Sequence, residues 1–162
     1  MIINCLIIDD EPLAINVIKN HIKEIDNINV IDTFNSAIDA LSFMKSNTVD
    51  LIFLDIQMGD GTGFDFLEKV TNKNFEVIFV TAFDEYAIKA FQWSAVDYLL
   101  KPVSIDELKD TIQRYKITVQ SNLSKREFEI IRLIAKGCNS KAIAEQLFIS
   151  HHTVDTYRRH IL

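Results

Sequence analysis

The chain has 162 residues, 48% hydrophobic and 25% charged, with four Gly, two Pro and a formal net charge of −6. That balance suits one ordinary folded domain, or a medium one with a small companion, and excludes disordered, collagen-like and linker-rich classes. No apolar run approaches the roughly 18–20 residues that cross a bilayer, and no basic leader precedes the first acids at Asp9, so neither a membrane helix nor an export signal is expected.

Met1 to Ile8 is a short apolar run closed by Asp9, Asp10 and Glu11, the pattern of a strand buried on both faces. Pro12 then stands where a first helical residue belongs. Leu13, Val17, Ile18, His21, Ile22 and Ile25 follow at helical spacing. The alternation repeats: a strand over Ile28 to Phe34, then a helix over Ser36 to Lys45 with Ile38, Leu41 and Met44 inward. Val49 to Leu54 is a strand ending at Asp55, followed by a Gly-rich loop and a helix over Phe64 to Thr71. A strand over Glu76 to Ala82 precedes a helix over Asp84 to Trp93. The last strand, Val96 to Leu100, ends at Lys101 and Pro102, and a helix over Ser104 to Tyr115 closes the body. Strands that alternate with helices in this way imply an α/β fold with a doubly wound parallel sheet, because parallel neighbours need helical crossovers.

After Tyr115 the strand signal stops. Lys116 to Asn122 reads as a helix tail or short linker, and three helical segments follow. Ser124 and Glu127 have capping-box spacing, Gly137 is a natural helix stop, Asn139 or Ser140 caps the second segment, and Ser150 caps a third over Thr153 to Leu162. Two short helices joined by Phe148, Ile149 and Ser150 suggest a helix-turn-helix. Charge divides at the same place. Residues 1–115 carry 9 Lys and Arg against 19 Asp and Glu, and residues 116–162 carry 8 against 4. An acidic body with a basic tail points to two modules with different partners. Cys5 and Cys138 form no ligand grouping and read as free thiols of a cytoplasmic protein.

Ligands of a doubly wound sheet bind outside the carboxyl ends of its strands. Here those ends carry Asp9, Asp10, Asp55, Thr81 and Lys101. Each alone has a structural explanation as a cap, a turn or a solvated charge; their convergence on one edge favours a site. Three carboxylates crowded there without a cation would repel, so a bound divalent ion is the economical solution, and oxygen-only donors favour Mg²⁺. A lysine and a hydroxyl beside a metal-held carboxylate suit a phosphoryl group.

Four blocks carry a resemblance: Cys5 to Pro12 (CLIIDDEP), Leu51 to Met58 (LIFLDIQM), Val77 to Ala82 (VIFVTA) and Asp97 to Pro102 (DYLLKP). In this order they closely resemble a response regulator receiver domain, over residues 1 to about 117. The resemblance implies a flavodoxin-like, five-stranded sheet of order 2-1-3-4-5 with Asp55 as phosphoacceptor. It also implies a Mg²⁺ site made by Asp9, Asp10, Asp55 and the Gln57 backbone carbonyl, a switch pair Thr81 and Tyr98, and Lys101 as phosphate-binding lysine. Gln57 and Phe83 would flank the water's approach and tune dephosphorylation: Gln57 orients a water or only fills space, and bulky Phe83 slows the reaction unless it packs into the neighbouring loop instead. One departure is Gly59, where the family usually has proline, which makes the loop Met58 to Gly63 more flexible than usual.

Leu123 to Gly137 and Ile143 to Val154 resemble the LuxR-type helix-turn-helix, over residues 123–162. The expected division is therefore a receiver at 1–117, a linker at 118–122 and a DNA-binding segment at 123–162. The resemblance implies that Thr153 to Leu162 enters the major groove. Lys141, Arg158 and Arg159 would attract phosphates, while Thr153 starts the helix and Thr156 and Arg159 face base edges. His151, His152 and His160 are not read as a metal site, because adjacent residues do not share a helix face. Asp155 departs from the family by placing a carboxylate where a basic residue is common, and the chain ends at Leu162, within the expected recognition helix. The expectation is therefore either a helix-turn-helix truncated at its C-terminus or impaired DNA binding.

The function expected is a cytoplasmic two-component regulator. A partner sensor histidine kinase phosphorylates Asp55, and the change controls DNA binding and self-association into a homodimer. The alternative is a phosphorylation-dependent protein-interaction module without useful DNA contact. A phosphatase with Asp55 as nucleophile would need a second carboxylate at the position of Gln57, so a turnover enzyme is not expected.

Overall fold

A computed structural model describes residues 1–120 and 125–161 of the chain. Strand β1 (Ile3–Ile8) leads into helix α1 (Pro12–Ile22), then β2 (Ile28–Phe34), α2 (Ala37–Met44) and β3 (Leu51–Leu54). A hairpin, β4 (Gln57–Met58) with β5 (Gly61–Thr62), precedes α3 (Gly63–Lys69). The body continues with β6 (Glu76–Thr81), α4 (Ala87–Gln92), β7 (Asp97–Leu100) and α5 (Ile105–Gln120). The main sheet has the order β2-β1-β3-β6-β7, and all its pairs are parallel. This is the expected order 2-1-3-4-5 once the hairpin strands are set aside.

Parity along each strand divides two cores, because successive side chains leave a strand on opposite faces. Leu6, Ile8, Ile52, Leu54 and Phe79 pack beneath α2, α3 and α4, with Ala40, Phe64, Phe66 and Ala90. Cys5, Ile7, Phe53, Ile78 and Val80 pack beneath α1 and α5, with Ile18, Ile22, Leu108 and Ile112. Both faces of β1 and β3 are covered, which is why these strands read as unbroken apolar runs.

Helices differ from the sequence expectation in their faces and ends. In α1 the sheet side is Ile15, Ile18 and Ile22, whereas Leu13 is 79% exposed and Val17 is also exposed. The helix carries two apolar stripes, and only the one that meets β1 is buried. In α2, Ala37, Ala40 and Met44 are buried and Ile38 is 65% exposed, so small residues take the close approach. The helix expected over Asp84 to Trp93 shrinks to Ala87–Gln92, and the Gly-rich loop contains a hairpin that had read as coil. Helix α3 is fixed by a capping box between Thr62 and Asp65, worth about 1 kcal/mol. Thr118 to Gln120, expected as linker, are the last turn of α5. The rest of that linker and the Ser124 cap lie outside the described residues.

The tail contains α6 (Lys125–Ala135), α7 (Ser140–Leu147) and α8 (His151–Ile161). Gly137, with φ of 83°, ends α6 in a Schellman turn: its N–H bonds the Ile134 carbonyl at 2.9 Å, and Cys138 N–H bonds the Leu133 carbonyl at 3.0 Å. Asn139 caps α7 by accepting from Ala142 N–H at 2.9 Å, and Ser150 caps α8 by accepting from Thr153 N–H at 3.0 Å. Ile130, Ile143, Leu147 and Val154 make a separate small core.

Candidate functional site

The sheet order reverses at β1 and β3, so the loops after these strands part to opposite sides and leave a crevice. Asp9 and Asp55 sit at its base, 3% and 4% exposed. They are held there because their backbones continue buried strands: Asp9 N–H bonds the Phe34 carbonyl, and Asp55 N–H bonds the Ile8 carbonyl. Local bonds then aim the carboxylates. Asp9 Oδ1 accepts from Glu11 N–H at 2.9 Å, and Asp55 Oδ1 accepts from Ile56 N–H at 2.7 Å. Asp10 Oδ2 accepts from Gly59 N–H at 3.0 Å, tying the flexible loop to the crevice.

Lys101 enters from the end of β7, beside a cis Lys101–Pro102 bond. Its Nζ lies 2.7 Å from Asp9 Oδ2 and 3.0 Å from Asp55 Oδ2 and from Glu11 Oε1. Burial opposes its charge, but bonds to Asp9, Asp55 and Glu11 outweigh that and raise its pKa. Burial pushes Asp9 up to about 6, assisted by the Asp55 charge and opposed by Lys101. The lysine is one cation beside the carboxylates of Asp9, Glu11 and Asp55. Carboxylate oxygens of Asp9, Asp10, Glu11 and Asp55 lie within 4.8 Å of one another, the sole such metal-capable group among the described residues. Hard oxygen donors, excess negative charge and a half-open crevice fit a divalent cation such as Mg²⁺.

Thr81 ends β6 fully buried, and its Oγ1 accepts from Phe83 N–H at 3.4 Å. The Tyr98 hydroxyl donates to the Phe83 carbonyl. Phe83 itself is exposed, its ring edge-on to Tyr86 with centroids 6.2 Å apart. Gln57, on the exposed lip, donates through Nε2 to the Tyr86 hydroxyl at 2.8 Å. The fold therefore brings together Asp9, Asp10, Asp55 and Lys101, and sets Thr81, Tyr98, Phe83 and Gln57 in a connected layer beside them. Sequence reasoning missed Glu11 and Tyr86. Glu11 was legible from its place after two aspartates, whereas nothing local marks Tyr86.

In the tail, Lys141 is exposed on α7, Thr156 and Arg159 are exposed on α8, and Arg158 is half-buried. Thr153 is engaged in the cap, its hydroxyl 2.7 Å from that of Ser150. Arg159 reaches back to Thr156 Oγ1 at 3.4 Å, and His151 Nδ1 lies 3.1 Å from Asp155 Oδ2. Of the anticipated DNA-facing residues, Lys141, Thr156 and Arg159 are thus exposed, Arg158 is half-buried and Thr153 serves the cap.

Comparison with known proteins agrees with this geometry. The family described as "Response regulator receiver domain" matches residues 5–113, and "Bacterial regulatory proteins, luxR family" matches residues 121–162. The sensory transduction protein LytR of Staphylococcus haemolyticus is 37% identical over 119 residues, 72% of this chain and 46% of that protein. The transcriptional regulatory protein BtsR of Escherichia coli is 36% identical over 115 residues, 70% of this chain and 48% of that protein. The chain spans about half the length of the curated relatives it matches. Among solved structures, the response regulatory domain of mrkE from Klebsiella pneumoniae superposes with a TM-score of 0.66 at 28% identity, over 70% of this chain and 95% of that one. The RcsB response regulator of Salmonella typhimurium superposes with a TM-score of 0.61 at 20% identity, over 98% of this chain and 88% of that one, a likeness of fold alone. Fold, crevice and matched families converge: the chain belongs to the response regulators, a receiver domain followed by a LuxR-family DNA-binding domain.

Proposed function

We propose that Asp55 accepts a phosphoryl group from a partner histidine kinase, with Mg²⁺ held by Asp9, Asp10, Asp55 and the Gln57 backbone carbonyl. The observation that carries this reading is the convergence of Asp55 with Asp9 and Lys101 at the base of the crevice. An Asp55 carboxylate oxygen attacks phosphorus, the bond from phosphorus to the donor nitrogen breaks, and the electron pair leaves with that nitrogen. A bound Mg²⁺ would neutralise charge on the transferring group. Lys101, already within 3.0 Å of Asp55, supplies a fixed cation beside the same oxygen. Thr81 has a buried hydroxyl that a phosphoryl oxygen would draw away from Phe83 N–H, and Tyr98, bonded to the same residue, would move with it. Because Asp55 is consumed and regenerated only slowly, the chain is a switch and not a turnover enzyme.

The output is control of transcription through α8, with Lys141, Arg158 and Arg159 on phosphates and Thr156 and Arg159 at base edges. Self-association on phosphorylation would place two such helices on one duplex. The protein acts in the cytoplasm, where kinase and DNA meet. Asp155 supports the second reading, a phosphorylation-dependent interaction module, because its half-buried carboxylate repels phosphate on the same helix. Incubating the chain with a small phosphodonor and Mg²⁺, followed by mass spectrometry, tests the main reading. One acid-labile phosphoryl group is expected on the parent and none on Asp55→Asn; equal labelling of both would refute the assignment.

A further inference from the structure

We propose that Tyr86 is a positioning residue that holds Gln57 away from the phosphorylated Asp55 and so lengthens the life of the phosphoryl group. This deepens the reading above and rests on it. Gln57 stands two residues after Asp55, at the start of the β4–β5 hairpin, on the exposed lip of the crevice. Its side chain ends in one acceptor and one donor group. Its Nε2 is committed to the Tyr86 hydroxyl at 2.8 Å, which draws the amide toward the start of α4.

The anchor for that bond is firm. The Tyr86 ring packs on Phe64, with centroids 6.3 Å apart, and Phe64 is a buried residue of α3. Phe64 also meets buried Phe79, with centroids 5.0 Å apart, so the floor beneath Tyr86 belongs to the core. Phe83 lies edge-on to the same ring, with centroids 6.2 Å apart. Tyr86 therefore contacts both the core and the switch loop, and its hydroxyl meets Gln57 on the lip.

Loss of the phosphoryl group needs a water oxygen in line with phosphorus, opposite Asp55. The new oxygen–phosphorus bond forms as the bond from phosphorus to the Asp55 oxygen breaks. The electron pair returns to the carboxylate, and the water's proton leaves with the inorganic phosphate. A free glutamine amide at the lip would accept a hydrogen bond from that water and orient it. Tied through Nε2 to Tyr86, the amide would be kept from that approach, and the water left to orient itself.

The test measures decay of the labelled, full chain in Mg²⁺ for the parent, Tyr86→Phe, Gln57→Leu and the double variant. Tyr86→Phe keeps the ring that meets Phe64 and Phe83 and removes only the hydroxyl. Decay should quicken by roughly two- to tenfold, the range spanned by loss of one neutral hydrogen bond. In the Gln57→Leu background the same change should alter nothing, because no amide remains to release. Equal quickening in both backgrounds would mean that Tyr86 acts through packing and would overturn the proposal, as would unchanged or slower decay in Tyr86→Phe. A parent chain that takes no label overturns the phosphoacceptor reading itself, an outcome distinct from labelling with the wrong decay pattern.

Discussion

Single residues hold the crevice together by contacts that leave no slack. A Cβ at Gly63 would lie 2.3 Å from the Asp55 carbonyl oxygen and 3.0 Å from Leu54 Cγ, so the start of α3 rests directly on the end of β3. Gly63→Ala must push the helix and its Thr62 cap away from Asp55. A loss of about 1–3 kcal/mol is expected, read as a lower urea midpoint, together with slower labelling at Asp55. Stability equal to that of the parent would show that the helix start yields freely. Lys101 illustrates a different economy, since one ammonium serves three carboxylates. Removing it leaves Asp9 and Asp55 buried beside each other with no counter-charge, which is why this lysine matters to folding and to chemistry alike.

At the scale of elements, the packing of β1 against α5 sets a pH dependence. Burial, aided by the Asp50 charge, pushes the Cys5 thiol from 9.0 up to about 12. Burial and the charges of Asp50 and Glu76 push the Tyr115 hydroxyl from 10.0 to about 12. Both groups keep their protons in the folded state at a pH where the unfolded chain has released them. Their contribution is therefore complete below pH 9 and is lost as pH rises toward 12. Stability should fall over that window, and Cys5→Ala should fall less steeply than the parent even if it starts lower. Parallel slopes of urea midpoint against pH would refute the assignment to Cys5. Elsewhere Asp97 of β7, buried, accepts from Thr111 of α5 at 2.8 Å and from Arg114, and Arg132 of α6 lies 3.9 Å from it as an ion pair. The residue next to Tyr98 thus touches the DNA-binding module.

For the whole molecule, the separation of charge matches the partners proposed above: an acidic crevice would attract cations, and a basic tail a polyanion. Binding of the phosphorylated chain to duplex DNA should weaken as salt rises, and Lys141→Ala should reduce the slope of log affinity against log salt by about one. Thr156→Ala should instead leave the slope alone and relax preference among sequences. Binding with no salt dependence would remove the tail from the DNA contact and favour the interaction-module reading.

The sequence by itself determined the alternation of elements, the doubly wound class and the row of residues at the strand ends, because apolar runs, caps and terminal acids are local patterns; the strand order rested on the family resemblance. Asp9, Asp55, Thr81 and Lys101 were legible for that reason: each closes a strand, and parallel strands end on one edge. Only the tertiary structure decided which stripe of α1 is buried, since Leu13 and Val17 are as apolar as Ile15 and Ile18, and the surface of β1 makes the choice. It also turned the Gly-rich loop into a hairpin and shortened α4 to two turns, outcomes set by neighbours and not by propensity. The bond between Gln57 and Tyr86, 29 residues apart, has no sequence signature at all. It exists because β4 and the start of α4 emerge on the same side of the sheet, a relation that arises only when the chain has folded.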